Sequence, residues 1–330
     1  MKTLHAKSPC CRGSINRFGK RRRQCSICKQ TWRIRQKRRG RKRNRTALCL
    51  VTRALIEHRT LVQQRRRNSV SQSGLSRRLT KAIRIISSAN QPRRIPAGPY
   101  ALVVDGLYFK FKRMDWVLYD MAVKSVKSHQ AYFLDPVLLE GKEGYGRWQQ
   151  SVATIPPEIQ KRIRAFVSDG FRGSKLLAKE HGWIHQRCHF HLLMALIRRR
   201  GRRSYRVKSA GVREKMLGTV RLLLATTDDG VLSRQKRKAQ MLLSHPLCPP
   251  WIRIQTVEFL RTLDDFRAYL LYPKLHLPTT TNALESSGKL IRRATATART
   301  PQSVLLRATS FLRLKKFVTC NGKSSTKLRQ

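Results

Sequence analysis

The sequence predicts an α/β fold, on three observations. Between residues 96 and 191, β-branched and aromatic runs alternate with short helical patterns. From 192 to 276 the pattern is helical throughout. Two phrases, "ALVVDGLYF" (101–109) and "IRAFVSDGFRG" (163–173), each bring an apolar run to a bare aspartate followed by glycine. Apolar residues make up 40% of the chain, enough for a real core, so its many charges are not those of a disordered tail.

Charge bounds the partners. The 330 residues hold 72 Lys+Arg against 17 Asp+Glu, a formal net charge of +55. Like charge at that density calls for a polyanion, and nucleic acid is expected before an anionic membrane. No apolar run approaches the ~18 residues of a spanning helix. The opening "MKTLHAKSPCCRGS" has no apolar core of a secretory signal, so a cytoplasmic location is expected.

Residues 1–45 carry Cys10, Cys11, Cys25 and Cys28, a front-loaded cluster that reads as metal-binding or reduced thiols rather than a disulfide framework. Cys25 and Cys28 have the C-x₂-C spacing of a tetrahedral knuckle, and zinc is the ion expected there. The other half is irregular, because Cys10 and Cys11 are adjacent. Either both ligate through a strained turn, or His5 supplies a ligand, or the site is degenerate. Then "RIRQKRRGRKRNR" (33–45) reads as a solvated linker or a phosphate-binding arm.

Residues 46–95 predict two amphipathic helices and a linker. The first, "TALCLVTRALIEHRTLVQQ" (46–64), spaces Leu48, Val51, Leu55, Ile56 and Leu61. The second, within 74–89, sets Leu75, Leu79, Ile83 and Ile86 on one face and Arg77, Arg78, Lys81 and Arg84 on the others. This pair fits a helix-turn-helix-like DNA-binding region, or simply two helices of a bundle. Three prolines in "NQPRRIPAGP" (90–99) mark a boundary.

Residues 96–191 read as three antiparallel strands ("YALVVDGLYFKFK", "DWVLYDMAVKS", "HQAYFLDPVL"), then helix, strand, helix, strand and helix. Residues 192–276 are helical in texture, and Trp183 (just before them) and Trp251 read as core before stacking platforms. Residues 277–330 return to helices, including "SVLLRATSFLRLKKFV".

Asp105 and Asp169, each at the carboxyl end of a buried strand and followed by glycine, can converge at one sheet edge and hold a hard cation, Mg²⁺ or Mn²⁺, for phosphodiester chemistry. Asp-Gly is equally an ordinary turn. A third carboxylate is expected, and Glu285 in "LPTTTNALESSGKLIRR" is its candidate, sharing a helix face with Asn282. Thr280, Thr281 or Asn282 would cap that helix, and by spacing alone Glu285 fits a capping acid better.

Taken in order, "VVDG", "VSDG", "QRCHFH" and "TTTNALES" resemble the DDE transposases of bacterial insertion sequences, most of all the Mutator-like class with an N-terminal zinc ribbon. The resemblance implies an RNase H-like catalytic core with an all-helical insertion, preceded by a small zinc ribbon and the helix-turn-helix-like pair. It implies that Asp105, Asp169 and Glu285 are catalytic and bind Mg²⁺, and that Cys188 and His191 are the family's Cys-x-x-His pair. By itself Cys188-x-x-His191 is half a zinc site with no second half nearby, so structural support is the reading taken, with Asn282 beside it. His185 and His189 read as packing or phosphate contacts, and Trp32 as packing under the ribbon. The implied activity is strand cleavage followed by strand transfer at terminal inverted repeats into target DNA, by a homodimer or larger assembly associated with the nucleoid. A non-catalytic nucleic-acid binder accommodates +55 equally well but leaves the three acids unexplained. A hydrolytic nuclease on the same fold is the other alternative.

Overall fold

A computed structural model describes residues 10–18, 22–33, 48–65, 71–89, 95–197 and 209–320. His5, the cationic run from 34 to 45 and linker residues 90–94 lie outside the described residues. The chain divides into two compact units, Met1–Cys49 and Leu50–Gln330.

The first unit is a three-stranded antiparallel sheet of β1 (Ile15–Arg17), β2 (Arg22–Cys25) and β3 (Thr31–Arg33), in that order. Ile15 pairs with Cys25 and Arg23 with Trp32, which is half-buried.

The second unit begins within a helical turn that runs to Val51 and widens into a π-helical turn, Thr52–Ile56. The long helix expected over 46–64 is interrupted here. The chain reverses through His58, whose φ is 51°, and restarts as α1 (Leu61–Arg65). A reciprocal cap makes the restart: Thr60 Oγ1 accepts from Gln63 N–H at 3.2 Å, and Gln63 Oε1 accepts from Thr60 N–H at 3.0 Å. Next comes α2 (Gln72–Ser88), capped by Ser71, which accepts from Gly74 N–H at 3.2 Å. Its buried face is Leu75, Leu79, Ala82 and Ile83.

The sheet that follows contains β4 (Tyr100–Phe111), β5 (Met114–Ser125), β6 (Gln130–Phe133) and β7 (Val137–Glu140). The third expected strand is thus two, divided around Pro136, which has no N–H to offer a ladder. Lys112 and Arg113, both at positive φ, make the tight β4–β5 turn. Then come α3 (Tyr145–Ala153), the single turn α4 (Pro157–Gln160), β8 (Ile163–Ser168), α5 (Ser174–Glu180) and β9 (Ile184–Arg187). Five helices follow: α6 (His189–Ile197), α7 (Ala210–Ala225), α8 (Asp229–Ser244), α9 (Pro250–Arg261) and α10 (Leu263–Leu271). The chain closes with α11 (Asn282–Thr295), α12 (Pro301–Lys315) and β10 (Phe317–Thr319), a strand the sequence reading did not anticipate.

Strand order is β10-β6-β5-β4-β8-β9, with β7 also on β5. β4, β5 and β6 run antiparallel, whereas β8 is parallel to β4 and β9 parallel to β8. One face, with Leu102, Val104, Tyr119, Met121 and Phe166, packs against Trp148 and Val152 of α3, Leu177 of α5, and Trp183. The helical insertion has its own core, including Met216, Val220, Leu223, Ile252 and Phe259, against which Trp251 packs. Trp183 and Trp251 are therefore packing residues.

The helix pair of 46–95 is not a unit of its own. Helix α2 lies against α12, where Ser310 Oγ donates to Ile83 O (3.0 Å) and Arg313 Nη1 donates to Ile86 O (3.1 Å) and Ala89 O (2.7 Å). The apolar face read as one side of a recognition pair is spent on the C-terminal helix.

Phe166, fully buried on β8, meets the rings of Phe171, Trp183 and His185. Phe166→Ala is expected to cost about 3–5 kcal/mol of stability, read as a lower urea midpoint at unchanged m-value.

Candidate functional site

In the first unit the knuckle turns bring four sulfurs together. Lys29, at φ 59°, closes the Cys25–Cys28 turn by donating its N–H to Cys25 O at 3.1 Å, and Arg12, at φ 52°, bends the chain after Cys10 and Cys11. The Cys10, Cys11, Cys25 and Cys28 sulfurs all lie within 4.8 Å of one another, with Cys10 and Cys28 3.3 Å apart. Tetrahedral S₄ coordination at a Zn–S distance of about 2.3 Å requires S···S separations of about 3.8 Å, so only small adjustments are needed. Both adjacent cysteines belong to the group, which is the strained-turn alternative. Hydrogen bonding to Cys28, then burial and Cys10, push the Cys11 thiol up to about 12, so a cation is needed to draw out thiolates. This cluster could hold a metal such as zinc. The expected result is one zinc per chain by colorimetric chelator release, lost in Cys25→Ser.

In the second unit, Asp105 lies within β4 rather than at its end, because β4 runs on to Phe111 against β5. What ends nearby is the parallel pairing of β4 with β8, whose last pair is Val103 and Val167. Asp105 and Asp169 each follow that pair by two residues, Asp105 still within β4 and Asp169 in the bend just past β8. Asp169 comes directly after β8 and accepts from Phe171 N–H at 3.2 Å. Gly170, at φ 91°, makes the turn, and any Cβ there would strike the Arg187 guanidinium. That guanidinium donates to Glu258 Oε1 (3.3 Å) and Thr262 Oγ1 (3.0 Å), tying the turn to α9.

Glu285 enters from α11. Thr281 is the N-cap residue, but its side chain does not cap; instead its N–H and Oγ1 donate to Cys188 Sγ at 3.2 and 3.4 Å. Glu285 stands one residue beyond the capping-box position, and its carboxylate meets Lys289 at 3.5 Å. The capping reading of Glu285 is therefore not what its side chain does. Asn282 Oδ1 is buried without a partner.

The acids interact. Burial first, and then Asp169, push Asp105 up to about 7; His191 opposes this, while Glu143 and Glu285 add to it. His191 is pushed up to about 9, first by Cys188 and then, against burial, by Asp169 and Asp105, so it is an imidazolium at neutral pH. Cys188 is thus a buried anchor linking β9, the start of α11 and His191. His189, pulled down to about 4 by burial, is neutral and sits 2.6 Å from Phe266 O; His185 Nε2 lies 3.2 Å from Ser168 Oγ. Both are packing groups.

Two acids escaped the sequence reading. Glu143 accepts from Tyr108 Oη and Trp148 Nε1, each at 2.8 Å, and burial pushes its carboxyl up. Asp120 lies directly across the ladder from Asp105 and is fully buried, with the Lys315 charge and the Met121 N–H acting on it from nearby. Burial and then Asp105 push it up to about 8. Its signal was an acid inside the otherwise apolar "WVLYDMAV"; Glu143 gave none. Among the described residues, the cysteines are the only His, Cys, Asp or Glu group with three or more ligand atoms within 4.8 Å of one another, so the carboxylates stand wider apart. Arg77, Arg78, Lys81 and Arg84 are all exposed on α2.

The chain matches no family model and no curated protein. No helix among the described residues is long and apolar enough to cross a membrane.

Asp105 and Asp120 titrate above the carboxylate range in the folded chain, so folding retains protons that the unfolded chain releases. Their contribution is fully present below pH ~4 and is lost as pH rises through about 7 and about 8. In chelator, Asp120→Asn is expected to raise the melting temperature at pH 8.5 by a few degrees, on the order of several kcal/mol at most, with a smaller change at pH 4.

Proposed function

We propose that the chain is a DNA transposase of the DDE type, with an RNase H-like core, a helical insertion and an N-terminal zinc ribbon. What supports this is Asp105, whose carboxyl is raised by burial first and then by Asp169, with Glu285 adding to it from a distant segment; it lies two residues past the last β4–β8 pair. There the strand order turns back, with β5 on one side of β4 and β8 on the other, the place where open α/β sheets bind ligands. The three antiparallel strands extended by two parallel ones, the helices inserted between β9 and α11, and the combined sequence motifs all support the same reading.

The donors at the site are carboxylate oxygens, which suit Mg²⁺ or Mn²⁺; such ions keep several waters, so ligands need not crowd to direct chelation. When bound, the cation would activate water or a 3′-hydroxyl and stabilise the departing oxygen. Asp105, Asp169 and Glu285 would hold it. The His191 imidazolium offsets the acids' mutual repulsion beforehand, and Cys188, by gripping Thr281, sets where Glu285 enters. Arg77, Arg78, Lys81 and Arg84 would take phosphates of the terminal inverted repeats, with base contacts supplying sequence choice. Joining two ends to target DNA requires a homodimer or larger assembly on DNA.

The test is nicking of a supercoiled plasmid carrying the inverted repeats that flank the gene, with Mg²⁺. Asp105→Ala, Asp169→Ala and Glu285→Ala are each expected to reduce cleavage at least about 10²-fold while DNA retention on gels is unchanged. Undiminished cutting removes that residue from the site. Cleavage without joined product would leave a hydrolytic nuclease.

A further inference from the structure

We propose that the outer end of the β4–β5 hairpin binds single-stranded DNA, with Phe109 and Phe111 as stacking faces for bases and Lys112, Arg113 and Arg292 as phosphate contacts. This goes beyond the transposase reading and rests on it only in taking DNA as the partner.

The hairpin outruns the rest of its sheet. β8 leaves β4 after Val103, and β7 pairs with β5 only from Trp116 inward, whereas β4 and β5 stay paired out to Phe111 and Met114. Register puts Phe109 and Phe111 on one face with Met114 and Trp116, the face of β4 that also carries Asp105. The Phe109 and Phe111 rings are parallel within 12°, with centroids 6.5 Å apart. Both are only half-buried, and Met114, opposite Phe111, is 45% exposed.

Cations frame the rings. Arg292 of α11, itself exposed, lies over Phe109 at 5.6 Å from the ring centroid and is oriented by donating to Tyr108 O at 2.8 Å. Lys112 and Arg113 form the tip at φ 46° and 70°, where such turns favour Asn-Gly. Charge is kept there at a cost in backbone strain. The hairpin's one acid, Asp115, stands opposite Lys110 on the other face, and Glu140 of β7 is two strands over from Phe109.

Phosphates alone would explain the cations but not the rings. A duplex hides its base faces inside the stack, whereas an unpaired strand offers them, and every base has one. Rings interleaved with cations therefore fit a single strand. The platform also lies in line with Asp105. A Cβ at Gly288 would fall 2.6 Å from Leu107 Cδ2, so α11 rests on this face of β4, with Glu285 about a turn before that contact and Arg292 about a turn after. Strand rise places Phe109 about 13 Å beyond Asp105. A DNA strand laid on the rings runs along β4 towards that acid.

The test is fluorescence anisotropy of the full, zinc-loaded chain without added divalent cation, using labelled oligothymidine and a duplex of the same length. Raised salt weakens phosphate contacts made elsewhere on the chain. Phe109→Leu with Phe111→Leu keeps apolar bulk and removes both ring faces. This pair is expected to weaken oligothymidine binding about 10-fold or more and duplex binding by less than about twofold. Phe109→Tyr with Phe111→Tyr keeps the faces and should bind as wild type. Equal loss on both DNAs, or no loss on oligothymidine, overturns the proposal. So does a wild type that holds only the duplex, which leaves the DNA reading standing, or one that holds only oligouridine, which makes the partner RNA. If wild type binds neither DNA, the DNA reading falls and this inference with it. Nicking plays no part in the assay, so a chain that never cuts yet loses oligothymidine with its rings keeps this inference and loses the catalytic one. Should the leucine pair melt early, 2-aminopurine placed in the oligothymidine decides: stacking on the wild-type rings quenches its fluorescence, and binding without quenching overturns the proposal.

Discussion

The parallel pairing of β4 with β8 is the constraint on which the rest depends. Val103 opposite Val167 fixes the register, and two residues further along come Asp105, within β4, and Asp169, just past β8. A slip of one residue in β4 would turn Asp105 to the opposite face. That register rests on apolar burial on both sides of the sheet: Leu102, Val104 and Phe166 against the α3 and α5 side, Ala101, Val103 and Val167 on the other. The acids are held close by the hydrophobic effect working against their own repulsion.

A second link brings in the C-terminal part. Cys188, just after β9, accepts two hydrogen bonds from Thr281, and His189 N–H donates to Thr279 O at 2.8 Å. These bonds seat the start of α11 over the end of the sheet, so the long helical insertion leaves and returns within a few ångströms. Insertions are tolerated thermodynamically when their ends are close, and this one carries its own core.

Charge divides by distance. Lys and Arg over the surface, including the outer face of α2, attract polyanions at long range, while the concentrated acids repel a phosphate that comes close. In the proposed function a divalent cation reverses that local sign, so binding and chemistry depend on different residues. The sulfur cluster of the first unit is independent of both.

Most of the order of strands and helices from 96 to 315 was legible, β7 and the turn α4 excepted, because apolar periodicity records which faces are buried. Asp105 and Asp169 stood out in the sequence because a bare acid in an apolar run has few other uses, whereas Glu285 stood out only through the family resemblance. Local competition hid other features: the Thr60–Gln63 cap interrupted an apparently continuous helix, Pro136 divided one strand into two, and β4 ran past Asp105 because β5 offered a partner along its whole length. Glu143 and Asp120 were not legible, since their meaning comes from the neighbours Tyr108 and Asp105, reached only through the fold. The sequence by itself determined the element types, the excess of positive charge and the four clustered cysteines, all set by local pattern and composition. Only the tertiary structure decided that α2 serves the core and which acids raise Asp105, because burial and charge coupling depend on groups far apart along the chain.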